Sequence, residues 1–246
     1  MTQTIIFTSD IHLSPHRPDL LALFEKFIKE HAPNATDVYL LGDLFELWVG
    51  DDNLNKFTRH VASLIKSLSE QNINTYFMHG NRDFLLGQQY ADLCGMKIIP
   101  DPFVLEHENS RVLLSHGDIF CTRDIEYQAL RKKLRNPNNM KHILRLPLFM
   151  RKTLAWYLRG KSYRHMRKTP IEKMDDFDAD ISAILKCMNQ HRCNIAIHGH
   201  THLPGIDVIA DTQQQRIRRF VLSDWGDKGN YIQWEHNRPL VHCYFK

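Results

Sequence analysis

An α/β sandwich, two mixed β-sheets flanked by helices with one helical insertion, is the fold class that three features of this 246-residue sequence predict. Short β-branched or aromatic runs alternate with amphipathic helical stretches through the first half of the chain. Five such runs stop at clusters of polar residues, four of them marked by glycine: Asp10-Ile11-His12, Gly42-Asp43, Gly80-Asn81-Arg82-Asp83, His116-Gly117-Asp118 and Gly199-His200-Thr201-His202. A long helical stretch then separates the fourth cluster from the fifth. Polar side chains at the ends of strands are where open α/β sheets place their sites.

The elements follow in order. Thr4 to Ser9 reads as a strand, Asp19 to His31 as an amphipathic helix after Pro18, Asp37 to Leu41 as a strand and Asn55 to Gln71 as a helix. Asn74 to His79 is the next strand. A short helix through Phe84 to Cys94 leads to a hairpin, Phe103 to His107 and Arg111 to Ser115, turning at Glu108-Asn109-Ser110. Three helical stretches fill Asp124 to Gln190, broken near Pro137, Pro147 and Pro170. Strands resume at Asn194 to Ile197, Asp207 to Ala210, Ile217 to Leu222, Tyr231 to Glu235 and Leu240 to Tyr244. The expectation is one domain over 1–246 with an insertion at 124–170, and there are no repeats.

With 43% apolar and 24% charged residues the chain can bury a sizeable core. Its five cysteines are an odd number without a Cys-x-x-Cys pair, so they suggest neither a disulfide framework nor a zinc knuckle. A reducing cytoplasm fits them. No signal peptide is expected ahead of a strand that starts at residue 4, and no apolar run approaches the roughly 20 residues of a membrane span.

Charge is distributed unevenly. Residues 127–171 contain no Asp or Glu but hold 13 of the 32 Lys and Arg: 131, 132, 133, 135, 141, 145, 151, 152, 159, 161, 164, 167 and 168. The other 19 basic residues face 28 acids, so the rest of the chain is acidic. The same segment carries Ile143, Leu144, Leu146, Leu148, Phe149, Met150, Leu154, Trp156, Tyr157 and Leu158. An ordinary amphipathic helix pair with a solvated face explains the apolar residues, but about five acids would be expected in such a face at average usage. Their absence favours a surface that meets anions.

The polar clusters supply carboxylates (Asp10, Asp43), imidazoles (His12, His116, His200, His202) and an amide oxygen (Asn81), with no thiolate. That set suits Mn²⁺, Fe or Zn²⁺ and exceeds the needs of one ion. Two divalent ions sharing a carboxylate can activate water and clamp phosphoryl oxygens for in-line attack. Asp43 is the natural bridge. Any one cluster alone would more often mark a turn; their ordered conjunction points to metal. His79 and His198, each beside a motif glycine, read as packing or supporting residues, His16 as surface, and Asp83 and Asp118 as ligand-orienting or turn-capping groups.

In that order the clusters resemble the five motifs of the calcineurin-like metallophosphoesterases. The resemblance implies a four-layer sandwich, one metal held by Asp10, His12, Asp43 and His202, and a second by Asp43, Asn81, His116 and His200. One position departs from the common pattern: most members have a histidine after the asparagine, where this chain has Arg82. Arginine cannot protonate a leaving group near neutral pH, so Arg82 favours a diphosphate, whose leaving phosphate is already a weak base. Its fork could hold phosphoryl oxygens as charge develops.

The runs Gly42 to Asp52, His79 to Gly87 and His198 to Pro204 further resemble the UDP-2,3-diacylglucosamine pyrophosphatases of lipid A synthesis. That resemblance implies Mn²⁺, a UDP-linked diacylated sugar lipid as partner, no nucleic acid, a monomer, and a peripheral place on the cytoplasmic face of the inner membrane. Asn81, Arg82, His116 and His200 would serve catalysis. Asn81, Arg82, Asp124, Ser162 and His200 match the family's substrate contacts; the next two differ, with Met166 at an asparagine position and Lys168 one residue away from a lysine position held by Thr169. The segment 124–170 would form a lid whose cations meet headgroups or diphosphate and whose apolar residues receive acyl chains. A nuclease or soluble phosphodiesterase of the same superfamily, or a non-catalytic scaffold on the same fold, are the alternatives. Scarce interleaved aromatics and Arg82 oppose the first, and seven intact ligands oppose the second.

Overall fold

The computed structural model describes residues 3–168, 178–211 and 216–246, the side chains of 161–168 and 210–211 excepted. One sheet contains six strands in the order β11-β10-β1-β2-β3-β4: β1 (Thr4–Thr8), β2 (Asp37–Leu40), β3 (Asn74–Met78) and β4 (Met96–Ile99) run parallel, and β10 (Gly229–Glu235) and β11 (Val241–Phe245) extend it antiparallel. The other has the order β5-β6-β7-β9-β8, where the hairpin β5 (Phe103–His107) and β6 (Ser110–Ser115) joins β7 (Ile195–His198), β9 (Arg216–Val221) and β8 (Gly205–Asp211).

Alternating side chains make the layers. Ile5, Phe7, Tyr39, Leu41 and Met78 meet Val112, Leu114, Ile195, Ile197 and Phe220 between the sheets. The opposite face of the first sheet, with Ile6, Val38, Leu40 and Phe77, packs on α1 (Pro18–Lys26), α2 (Lys56–Glu70) and α3 (Gln88–Cys94) through Phe24, Val61, Ile65, Leu68 and Tyr90. Leu113 and Ala196 of the second sheet pack on Ile184 and Met188 of α7 (Ile181–His191). The result is four layers, helix, sheet, sheet, helix. Burial on both faces explains why these strands read as continuous apolar runs.

Several expected elements shift. The first helix is α-helical only to Lys26 and continues as a π-helical turn over Phe27–His31. The second is bounded as expected: Asn55 accepts from Phe57 N and Thr58 N while Thr58 Oγ1 accepts from Asn55 N, a reciprocal cap. Phe84 to Gly87 stays a turn, fastened where Asp51 accepts from the amides of Gly87 and Tyr90, so α3 begins at Gln88. Strand β4 went unforeseen. Its four residues follow the left-handed Gly95 that ends α3, too short a run to show a period of its own.

Among the described residues the stretch after Asp124 forms four helices where three were expected: α4 (Ile125–Leu134), α5 (Pro137–Arg145), α6 (Leu148–Lys168) and α7. Pro137 and Pro147 begin helices, Pro137 as the first residue of α5 and Pro147 just before α6, where a missing amide costs nothing. Pro170 lies outside the described residues. The cationic segment is also less outward-facing than its composition suggests. Arg131 and Arg135 pair with Asp118, Arg151 with Asp52 and Arg159 with Glu46, and Arg151 is 3% exposed.

Candidate metal centre

Parallel alignment of β1, β2 and β3 in one sheet and of β6 and β7 in the other delivers all five polar clusters to one edge of the sandwich. Asp10 N donates to Gly42 O at 3.0 Å and His12 N to Asp43 O at 2.9 Å, which locks the first two loops together. Nine non-glycine residues among those described have positive φ, and five of them are Asp10, His12, Asp43, His200 and His202. Left-handed backbone costs a residue with a Cβ about 1 kcal/mol or more, so its concentration here marks loops bent to aim side chains inward. The loops also approach too closely for any Cβ at Gly80, where one would lie 2.1 Å from Asp43 Oδ1. Gly42 combines φ +91° with a would-be Cβ 2.6 Å from His116 Nδ1.

All seven expected ligands come together. Atoms of Asp10, His12 and His202 lie within 4.8 Å of one another, as do atoms of Asp10, Asp43 and His116. His202 Nε2 is 3.3 Å from Asp10 Oδ1, and His12 Nδ1 is 3.9 Å from Asp43 Oδ2. Asn81 Oδ1 lies 2.9 Å from both His116 Nε2 and His200 Nδ1, which joins the last two ligands to the group. Asp10, Asp43 and His116 are buried, and both ring nitrogens of His12 are buried without a hydrogen-bond partner.

Electrostatics separate these groups sharply. Burial would raise Asp10, but its hydrogen bond with His202 and the charges of His116, His202 and His12 hold it below the usual carboxylate range. Burial pushes Asp43 up, aided by Asp10 and opposed by His116 and Arg82. Burial drives His12 down to about 3 against the pull of Asp10, and drives His200 to about 3 with help from His116. In His116 burial also works downward, yet Asp43, Asp10, Asp118 and Asp101 overcome it and raise the ring to about 9. Carboxylates and imidazoles are thus crowded together beyond what their own pairing satisfies. A divalent cation resolves the conflict, since it favours ionised carboxylates and neutral imidazoles together. The unpartnered His12 ring and the oxygen-and-nitrogen donor set fit divalent metal ions, whose chemistry when bound is to activate water and polarise phosphoryl oxygens.

Supporting groups lie just outside. Asp83, fully buried, accepts from Gly80 N and Leu44 N, both at 2.8 Å, and so ties the Asn81 loop to the Asp43 loop; burial and then Asp43 raise it to about 6. Asp118 accepts from Tyr127 Oη at 2.7 Å, Arg131 Nε at 2.8 Å and Arg135 Nη2 at 3.1 Å, while Arg135 also donates to Gly80 O at 3.0 Å. The Tyr127 ring stacks on His200. His198 Nε2 accepts from Arg219 Nε and its Nδ1 donates to Gly199 O, and His79 donates to Leu86 O.

Arg82 donates from its backbone to Asp43 Oδ1 at 2.9 Å and from Nη1 to Glu46 Oε1 at 2.9 Å. Asp124 caps α4 by accepting from Tyr127 N. The α6 helix runs through Ser162, Met166 and Lys168, whose side chains lie outside the described residues, as does all of Thr169. Sequence reasoning missed Glu46 and Asp224. Glu46 Oε2 is 3.4 Å from His12 Nδ1 and Asp224 Oδ2 3.6 Å from His202 Nδ1, and neither belongs to a glycine-marked cluster that would have singled it out.

A sandwich that gathers such a donor set at its strand ends defines a metal-dependent phosphoester hydrolase. The chain belongs to the calcineurin-like phosphoesterase family, whose profile matches residues 3–204. It is 42% identical over 228 residues to a UDP-2,3-diacylglucosamine hydrolase of Aeromonas salmonicida, covering 92% of this chain and 88% of the relative. It is 40% identical over 228 residues to an enzyme of the same name from Escherichia coli O7:K1, covering 93% of each chain. A third of that name, from Pseudomonas paraeruginosa, is 38% identical over 234 residues, 95% of this chain and 96% of the relative.

Proposed function

We propose that this protein hydrolyses the diphosphate bond of UDP-2,3-diacylglucosamine to UMP and 2,3-diacylglucosamine 1-phosphate, using two Mn²⁺ ions. The observation that carries the reading is a cavity of about 270 Å³ between the insertion and the first sheet's loops. Trp48, Leu85, Leu130, Ile143, Leu154 and Leu158 supply apolar wall, while Asn81 and Arg82 lie in the same lining. An acyl chain gains roughly 0.8 kcal/mol per buried methylene in such a wall. A diphosphate attached to it would rest against the arginine.

The chain's own groups divide the work. Asp10, His12, Asp43, Asn81, His116, His200 and His202 would hold the metals, Asp43 being the ligand common to both sets. Arg82 neutralises developing charge on phosphoryl oxygens and leaves the departing phosphate unprotonated, as a weak base allows. Asp124, Ser162 and Lys168 contact the substrate from the insertion, which acts as a lid. On its outer side Phe149, Met150, Trp156 and Tyr157 are exposed together with Lys152. Aromatics beside cations suit the anionic, cytoplasmic face of a bacterial inner membrane, where the enzyme docks peripherally. No described helix is long and apolar enough to cross a membrane.

Product identity tests the reading. Incubation of the purified protein and Mn²⁺ with UDP-2,3-diacylglucosamine in mixed micelles should release UMP and the lipid monophosphate. Release of UDP, or faster cleavage of single-stranded DNA than of the diphosphate, would refute it and favour a phosphodiesterase.

A further inference from the structure

The loop after β2 places one acidic side chain where three elements meet. Glu46 Oε1 accepts from Arg82 Nη1 at 2.9 Å and is ion-paired with Arg159 Nη2 of α6, while Oε2 lies 3.4 Å from His12 Nδ1. Arg82 belongs to the loop after β3 and His12 to the loop after β1. Glu46 retains 21% side-chain exposure, so the pair of guanidiniums it bridges is open to a ligand from the cavity that all three residues line. Two guanidiniums converging on one carboxylate form the same fork that binds phosphoryl oxygens.

We propose that Glu46 is a positioning residue: an internal counter-anion that holds Arg82 and Arg159 in register and orients His12, and that the substrate's diphosphate displaces from the two arginines on binding. The proposal rests on the diphosphate reading above. It assigns Glu46 two opposed effects. Without its charge, two like-charged side chains would repel and splay, so Glu46 prepares the fork. The same charge competes with an incoming anion, so Glu46 weakens ground-state binding. His12 Nδ1 makes no hydrogen bond, and Glu46 Oε2, 3.4 Å away, is the carboxylate it would donate to once the second nitrogen takes a ligand, a role whose loss typically costs about 10-fold or more in metal affinity.

The variant Glu46→Gln keeps shape and removes charge. At saturating Mn²⁺, calorimetric titration with methylenediphosphonate, a non-hydrolysable diphosphate, should show about tenfold tighter binding than in the parent. Turnover of the diphosphate substrate should show KM falling together with kcat, a split that a merely structural residue would not produce. A separate Mn²⁺ titration should show one equivalent weakened about tenfold. Unchanged or weaker diphosphonate binding, or unchanged Mn²⁺ affinity, overturns the proposal. If Glu46→Gln does not fold, Glu46→Asp carries the same test: its carboxylate is drawn back by one methylene, and a tightening of about threefold is expected, with no tightening overturning it. Diphosphonate affinity does not depend on the lipid, so tighter binding alongside no turnover of UDP-2,3-diacylglucosamine would uphold Glu46 and refute the substrate assignment instead.

Discussion

Arg151 and Lys152 are adjacent cations that the structure puts to opposite uses. Arg151 is 3% exposed and donates from Nε to Leu146 O at 2.9 Å, from Nη1 to Val49 O at 2.5 Å and to Asp52 Oδ1 at 2.7 Å, with Nη2 also on Asp52. Lys152 is exposed. In Arg151→Gln the pair with Asp52 counts for less than about 1 kcal/mol, because Asp52 is 59% exposed. The two carbonyls left unpaired cost about 1 kcal/mol each, and the shortened stem roughly another 0.8 kcal/mol. Release of a buried guanidinium offsets part of the sum, leaving about 2–3 kcal/mol. Expressed as local opening, that is roughly 30- to 150-fold faster amide hydrogen exchange in the first turns of α6 and in residues 49–52. Lys152→Gln should leave exchange unchanged but weaken binding to anionic vesicles about fivefold, the effect of about 1 kcal/mol per surface lysine. Equal exchange in the two variants, or vesicle binding lost only in Arg151→Gln, would refute the division of labour.

Three further outcomes follow from the site. Asp43→Ala should abolish turnover and remove most of the rise in melting temperature that Mn²⁺ produces, a larger loss than Asp224→Ala; calorimetry and steady-state assays at fixed Mn²⁺ check it. Gly80→Ala, whose Cβ would lie 2.1 Å from Asp43 Oδ1 and 2.2 Å from its backbone nitrogen, should destabilise the fold by about 2 kcal/mol or more and lose Mn²⁺ binding, read from urea midpoints and metal titration. His198 is pushed down to about 4 by burial and then by the Arg219 charge, so the unfolded chain binds a proton below about pH 6.5 that the folded chain refuses. Stability should therefore fall as pH drops from 6.5 towards 4. His198→Gln should flatten that part of the urea-midpoint profile, and an unaltered slope would sink the assignment.

The candidate ligand positions were legible because strand ends and tight loops leave a local mark: Gly42, Gly80, Gly117 and Gly199 are required by close approach or positive φ, and Asp43, Asn81, His116 and His200 are their neighbours. The start of α2 was legible at Asn55 because a helix cap is settled within four residues, here by the reciprocal bonds of Asn55 and Thr58. Strand β4 was illegible because it becomes a strand only by pairing with β3. Glu46 was illegible because nothing in Phe45-Glu46-Leu47 shows that Arg82, 36 residues later, and Arg159, on another helix, converge on it.

The sequence by itself determined the α/β alternation, the candidate ligand positions and the membership of a metal-dependent phosphoesterase family, because these depend on local pattern and on residue type at fixed spacing. Only the tertiary structure decided how the charges are spent. The thirteen cations of residues 127–171 look alike along the chain, yet Arg131, Arg135 and Arg151 turn inward to acids and Arg159 pairs with Glu46 at the surface, while Lys152 stays in solvent. Coulomb interactions and desolvation depend on distance and burial, and both are fixed only when α4 to α6 pack against the sheet's loops.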